Sequence, residues 1–430
     1  MDLGPHIKSR RGALEIGGID AGTLANQYGT PLYVTDLERI AGRYKIAFEA
    51  LRSRHVDCLV AFAYKSNPMP DVVRTLSRCG AGGTIVSGEG LGLAAASGVN
   101  PKNLVFDGPS KSKEDLAAAI RAGVGMINAE SIQEVLDIES LCSRLQMRAR
   151  VGFRANFDIH VETHAGLATG SKGQKFGIDR KDVVRFCKER AGRLAWVNLA
   201  GLHSHIGSQI TDMGTFRRLS EELVSLGDEL ERHGVDIHEF NFGGGLGVDY
   251  GHHQGADSFE DYADATAGAF SELRGAHGGR LVFELGRSIV ADSTILLTRV
   301  NYLKRGGTVN WALVDAGMND FLRPALYGAS HPIVPALVKD GTPSKIAYSV
   351  GGPVCESTDV FGANQRLGVK LSQGDILAIL DAGAYGISMA STYNMRPLPK
   401  VAVVSKGRHR LGEGWTPEPQ DAYKPTQQEK

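Results

Sequence analysis

From Cys58 onward the chain alternates short apolar, β-branched runs with longer amphipathic stretches. The runs are Cys58–Tyr64, Thr84–Val86, Leu104–Phe106, Gly125–Ile127, Ala149–Phe153, Trp196–Ile206, Ile237–Phe242 and Arg280–Glu284. Short apolar runs bounded by turn residues read as buried strands. Helical spacing fills most of the gaps, over Val72–Cys79, Lys113–Ala122, Ser131–Leu145, Lys181–Arg190, Thr215–His233 and Tyr262–Leu273, with Leu37–Ser53 preceding them all. Asp179 stands before one of these helices and Gly234 after another, the expected start and stop residues. Strand–helix alternation implies a parallel sheet. Eight such units predict a closed (β/α)8, TIM-like barrel, whose functional groups collect at the carboxyl ends of its strands.

After Arg287 the texture changes. Ile295–Val300, Val309–Val314, Ile346–Val350, Ile376–Leu380 and Val401–Val404 read as strands separated by Gly, Pro and Asn turns, with few helical patterns. The expected organisation is an N-terminal segment, 1–30, packing with a β-rich domain (sandwich- or barrel-like), 288–411; a barrel, 31–287; and a polar, fraying tail, 412–430. Ile16–Ile19 is read as one strand and Pro31–Val34 as another.

Composition narrows the classes of function. In 430 residues, 48 Lys and Arg balance 48 Asp and Glu, which gives no sign of attraction to nucleic acid or to a membrane surface. The basic patch Lys8–Arg11 has no apolar run after it, so no signal peptide is expected, and no stretch is long enough to span a bilayer. Five scattered cysteines with no C-x-x-C pair fit a reducing cytoplasm.

Four clusters converge on one barrel mouth. Lys65 ends the first strand, His203 to Ser208 the sixth, Gly243-Gly244-Gly245 the seventh and Glu284 to Arg287 the eighth. A desolvated lysine gives up its proton readily and becomes a nucleophile able to form a Schiff base; a solvated lysine past the strand end is the plain alternative. The glycines would let a backbone approach phosphate, or form an ordinary turn. Glu284 could accept a hydrogen bond from a protonated ring nitrogen, or pair with Arg287. His205 could stack on an aromatic ring, or be a satisfied core histidine. Together these groups are what pyridoxal 5'-phosphate needs. In the β-rich part, Cys355 beside Glu356, and Tyr385 in Asp381–Gly386, are either functional or packing residues.

With these motifs the chain resembles the diaminopimelate decarboxylases, among the barrel-type pyridoxal-phosphate decarboxylases, from about Pro31 to Val404. The matching strings are Tyr64-Lys65-Ser66-Asn67, His203 to Gln209, Gly243 to Gly247, Glu284 to Arg287, Met318-Asn319-Asp320, Arg323 to Tyr327, Cys355-Glu356-Ser357 and Asp381 to Gly386. Thr163-His164, Thr169-Gly170 and Lys175-Phe176-Gly177 resemble the same branch. The resemblance implies decarboxylation of meso-2,6-diaminopimelate to L-lysine and CO2, the last step of lysine biosynthesis, by a cytoplasmic homodimer with active sites shared across its interface. Lys65 would carry the cofactor as a Schiff base, His205 would stack on its ring, and Glu284 would keep the ring nitrogen protonated. Gly243 to Gly245, with Tyr385, would hold the phosphate, and Ser208, Gly286 and Arg287 would also bind the cofactor. Arg287, Arg323, Tyr327, Glu356 and Tyr385 would grip the substrate. Cys355, from the neighbouring subunit, would reprotonate the carbanion.

Three positions depart from the family pattern. Thr84 stands where the family has aspartate, Ser87-Gly88-Glu89-Gly90 displaces a glutamate by one residue, and Leu285 replaces a proline. They keep open a relative acting on D-lysine, D-ornithine or a specialised-pathway intermediate. From other classes, a metal-dependent barrel hydrolase using His203 and His205, with His160, His164, His252 and His253 as further ligands, and a non-catalytic binding protein also stay open.

Overall fold

A computed structural model describes residues 7–10, 12–161, 170, 173–250, 258–275, 278–338 and 344–414. The chain divides into two compact units, one of residues 44–248 and 255–286, the other of 1–43, 249–254 and 287–414.

The first unit is a closed barrel. Its parallel strands are Cys58–Ala63, Gly82–Ile85, Leu104–Phe106, Met126–Ala129, Ala149–Asn156, Val197–His203, Glu239–Asn241 and Arg280–Phe283, each hydrogen-bonded to the next, with the eighth returning to the first. All eight apolar runs therefore became barrel strands. The intervening helices also match: Pro70–Arg78, Lys113–Ala122, Ile132–Leu145, Arg180–Arg190 and Met213–Glu231. Ser112 caps the second and Ser131 the third through their hydroxyls. Gly234 at φ +79 follows the fifth helix. Gly88–Ala96 is a helix that periodicity did not reveal. Three of its nine residues are glycine, so it carries no apolar stripe to read.

The second unit is a β sheet around two apolar clusters. One holds Ile16, Leu24, Val34, Ile295 and Val404; the other holds Leu296, Val314, Phe321, Val350 and Ile379. The long strand Thr294–Gly306 pairs with Leu32–Asp36, Val309–Val314 and Ile376–Ile379. Leu32–Asp36 pairs in parallel with Lys400–Ser405 on its other side. The strand expected at the start of the barrel thus belongs to the β sheet. Ile16–Ile19 is not one strand but the turn of a hairpin between Ala13–Ile16 and Ile19–Asp20. Gly17 and Gly18 take φ +56 and +79, the pair of left-handed residues that a tight hairpin turn requires. No helix among the described residues is long and apolar enough to cross a membrane.

Candidate active site

Ala63 ends the first barrel strand, and a single 3-10 turn, Tyr64–Ser66, carries Lys65. The turn is pinned by Ser66 Oγ donating to Ala63 O at 2.7 Å and by Asn67 N–H donating to Tyr64 O at 3.0 Å. Within this chain Lys65 is exposed while Tyr64 and Ser66 are buried. The expectation of a desolvated lysine is corrected accordingly: the turn lifts the amine out of the strand and presents it. The buried lysine of this barrel is Lys111, whose side chain is 0% exposed. Its Nζ donates to Gly108 O, Asn128 O and Glu134 Oε1 at 2.9, 2.7 and 2.7 Å, which uses all three protons structurally.

Strand register identifies what faces inward. Ala61, Val105 and Val282 form an interior cluster with Leu59. Side chains two residues apart share a face, and so do residues paired between parallel neighbours. Ala63 pairs with Thr84 and Thr84 with Val105. Val282 pairs with Asn241, and Asn241 with His203, which pairs in turn with Arg154. Counting two residues on from Val105 and Val282 adds Asp107 and Glu284. Asn128, paired with Gly152, completes the set. The barrel mouth is therefore lined by a polar ring to which nearly every strand contributes one side chain. All of these residues are buried.

Glu284 is 4% exposed, and Asn241 Nδ2 donates to its Oε1 at 2.7 Å. Burial pushes its pKa well above the usual carboxylate range, the Asp107 carboxylate beside it adds to the rise, and Lys65 opposes it. Burial also works to raise Asp107, but His203, the hydrogen bond with Glu284, Arg154 and Asn128 outweigh it and hold Asp107 low. Asn128 Nδ2 donates to Asp107 Oδ1 at 2.8 Å. His203 is 0% exposed, its Nε2 lies 3.9 Å from Asp107 and 3.7 Å from Glu284, and neither ring nitrogen has a hydrogen-bond partner. Burial lowers its pKa to about 3 against the pull of Asp107, so it is neutral at pH 7. Arg154 is held by Glu130 at 2.5 Å. The donor atoms of Asp107, His203 and Glu284 lie within 4.8 Å of one another.

His205 is held differently. Its Nδ1 accepts the Gly244 N–H at 3.1 Å, which fixes a neutral imidazole, and burial together with Lys65 and Arg154 drives its pKa well below 6.5. It therefore does not pair with His203 as a ligand set; the three-group cluster at the mouth uses His203 alone. His160 is exposed, and His164, His252 and His253 lie outside the described residues.

The two glycine-bearing loops are zipped together by Ile210 N–H to Gly245 O and Gly247 N–H to Ile210 O, both at 2.9 Å. No side chain fits in the triple glycine. A Cβ on Gly243 would lie 2.8 Å from His205, one on Gly244 2.3 Å from Glu284 O, and one on Gly245 2.6 Å from Gly207 O. Gly243 N–H donates to Asn241 Oδ1 at 2.8 Å and Gly244 N–H to His205, so two of the three amides are spent inside the protein. Gly245 N–H has no acceptor among the described residues. Ser208 lies half-buried in the loop after His205. Gly286 packs on Ser66, whose Oγ would be 2.9 Å from a Cβ there.

The other predicted residues belong to the β-rich unit. Arg287 and Arg323 are 5% and 4% exposed. Arg287 donates to Tyr250 Oη at 2.7 Å and lies over the Tyr385 ring at 4.9 Å. Arg323 lies over the Tyr250 ring at 4.7 Å and donates to His331 Nε2 at 2.8 Å, while its Nε has no partner. Burial and the neighbouring Arg287 both lower the pKa of Arg323. Tyr327 is half-buried. Cys355 is exposed, and the exposed Glu356 accepts the Tyr393 hydroxyl at 2.6 Å.

The departures resolve locally. Leu285, fully buried, accepts the Ala63 N–H through its carbonyl at 3.1 Å, and Glu284 N–H donates to Gly243 O at 2.7 Å, so the turn still aims Glu284 inward. Glu89 is exposed in the first turn of its helix. Gly90 packs on Ile85, 3.1 Å from where a Cβ would stand. Asp107, Asn128, Arg154 and Asn241 were missed in the sequence because each is a lone polar residue at or near a strand end. The inward count from Val105 would have found the first; Asn241 follows only from its pairing with Val282.

These residues fit pyridoxal 5'-phosphate: an accessible amine, a neutral imidazole held in one orientation, a buried acid with its own clamp and a cradle that side chains would fill. A family described as the pyridoxal-dependent decarboxylases, pyridoxal binding domain, matches residues 37–291. The chain is 36% identical over 410 residues to a diaminopimelate decarboxylase of Aquifex aeolicus, covering 95% of each chain. It is 37% identical over 406 residues to that of Methanocaldococcus jannaschii, covering 93% of this chain and 92% of the other. The crystal structure of the M. jannaschii enzyme in complex with L-lysine superposes with a TM-score of 0.90 at 37% identity, over 96% of this chain and 95% of that one.

Proposed function

This chain belongs to the pyridoxal-dependent decarboxylases, in their diaminopimelate decarboxylase branch, and on that premise we propose that it converts meso-2,6-diaminopimelate to L-lysine and CO2. Bound pyridoxal phosphate supplies the electron sink for the pair left on Cα when the bond to the carboxylate breaks. Lys65 would hold the cofactor through its amine, and His205, neutral and oriented by Gly244, would stack on its ring. Glu284, held by Asn241, keeps a proton at the ring nitrogen. Gly245, Gly286 and Ser208 serve the phosphate, with Tyr385.

The substrate reading is carried by Arg287 and Arg323, two buried guanidinium groups that share Tyr250, the first donating to its hydroxyl and the second lying over its ring. Neighbouring buried cations are costly unless an anion joins them, and a second, distal carboxylate is the anion that distinguishes diaminopimelate from lysine or ornithine. Tyr327 and Glu356 complete the grip, Glu356 on the distal amine. After CO2 leaves, Cys355 gives its thiol proton to Cα and recovers one from solvent. Cys355 and Glu356 act from a second copy of the chain. Support for that comes from the exposed apolar side chains on the segment that touches them, Tyr393 at 48%, whose hydroxyl donates to Glu356, and Met395 at 97%, a surface suited to being covered. The enzyme works as a homodimer in the reducing cytoplasm.

The test is CO2 release by purified protein with pyridoxal phosphate, offered meso-diaminopimelate, both enantiomers of lysine and of ornithine, and arginine. Diaminopimelate is expected to lead. A clear lead for ornithine or a D-amino acid would overturn the lysine-biosynthesis assignment.

A further inference from the structure

The family pattern places an aspartate where this chain has Thr84. Thr84 faces the barrel interior and makes one long contact, Oγ1 to Ala61 O at 3.4 Å. On the neighbouring strand, on the same inward face and one pleat nearer the mouth, stands Asp107. Its amide continues the ladder by donating to Ile85 O at 2.9 Å, so its position is set by the sheet and not by a loose loop. Asp107 is 7% exposed, and a carboxyl oxygen of Asp107 and one of Glu284 lie within 4.8 Å of each other, with His203 beside both. Two buried carboxyl groups this close do not both ionise, so one of them keeps a proton. Asn128 donates to Asp107 and Asn241 to Glu284, so each acid has its own amide clamp.

We propose that Asp107 takes over from the adjacent strand the acid missing at Thr84, and acts as a positioning residue that keeps one shared proton on Glu284. The inference rests on the cofactor reading for its purpose. A bound pyridine ring would take up that proton at its nitrogen, and Glu284 would then face it as a carboxylate. No other donor or acceptor is needed. Asp107 then supplies a second negative charge beside that cation. The groups facing the pair are His203, Lys65, Arg154, Lys111 and Tyr262. His203, neutral and without a hydrogen-bond partner, fills the space between the acids without competing for their proton.

The stored proton is tested without cofactor. Infrared spectra of the cofactor-free protein at pH 7 should contain a protonated-carboxyl band that disappears in Glu284→Gln; no such band, or a band that survives the substitution, overturns the proposal. Relocation of the acid is tested by titrating pyridoxal phosphate into cofactor-free protein and following absorbance. Asp107→Asn, which is isosteric, should weaken binding about tenfold or more. Adding Thr84→Asp to it should restore affinity to within about threefold of wild type, a repair that a merely structural defect would not show. Unchanged binding in Asp107→Asn, or no repair by Thr84→Asp, sinks the idea. Should Asp107→Asn fail to fold, Thr84→Asp alone decides, since a third acid at the mouth should weaken binding and unaltered binding would count against the proposal. These readouts are independent of decarboxylation, so a wrong substrate would leave them standing.

Discussion

Gly244 and His205 constrain each other. The Gly244 amide donates to His205 Nδ1 at 3.1 Å, and a side chain on Gly244 would run into the Glu284 carbonyl at 2.3 Å. One backbone position thus sets the orientation of the imidazole and the approach of the seventh strand to the eighth. Gly244→Ala has nowhere to put its methyl except by moving that backbone. It should cost about 3 kcal/mol in urea unfolding. It should also abolish cofactor retention on gel filtration, which a loss of stability alone would not do at low temperature.

His203 is expected to give the acid side of the stability curve its slope. Its pKa falls from an ordinary 6.5 to about 3 in the folded protein. The unfolded chain therefore binds the extra proton, and this histidine costs stability as pH falls from about 6.5 toward 3, with no cost above that window. The slope from this residue approaches about 1.4 kcal/mol per pH unit. His203→Gln should flatten the curve of unfolding free energy there, while leaving stability at pH 8 changed by packing alone.

Asp381 acts in the opposite sense. Burial, with Asp292 and Asp249 nearby, raises its carboxyl to about 7. The folded protein holds that proton to higher pH than the unfolded chain, so stability is lost as pH rises from about 4 to 7. Asp381→Asn should raise the melting temperature at pH 8 more than at pH 4, by a few degrees.

Arg323→Lys keeps the charge but not the planar fork. With diaminopimelate, KM should rise about tenfold or more, while the absorbance of bound cofactor stays as in wild type. Equal KM values would remove the distal-carboxylate role.

Cys355→Ala should lower kcat by about 10²- to 10⁴-fold with cofactor binding intact. If sites are shared between copies, mixing Lys65→Ala and Cys355→Ala proteins, each inactive, should recover roughly a quarter of wild-type activity after subunit exchange. A mixture that stays inactive although the subunits exchange argues that each chain uses its own cysteine.

Much of this was legible in the chain. The barrel was readable because each buried parallel strand is a continuous apolar run, as at Leu104–Phe106, and each covering helix has a stripe, as at Lys113–Ala122. Where pattern and structure part, the cause is local. In Val360–Arg366 only Phe361 is buried, and Arg408–Leu411 is mostly exposed and polar, so no alternation marks either strand. Lys65 is exposed and Lys111 is buried for a reason that goes beyond local pattern: the Asn128 carbonyl and Glu134, distant in sequence, join the nearby Gly108 carbonyl around the second but not the first. Asp107 carries no local signal of its own, because only the pairing of Val105 with Thr84, one pleat earlier on its strand, places it inside.

The ring at the barrel mouth makes charge portable. Nearly every strand offers one station of like orientation, so an acid can vanish from one and reappear on the next without any backbone rearrangement. Comparing relatives column by column would register two unrelated changes, whereas the field at the centre of the cylinder stays nearly the same. In barrels of this kind, it is the sum around the circumference that selection can hold constant while individual positions drift.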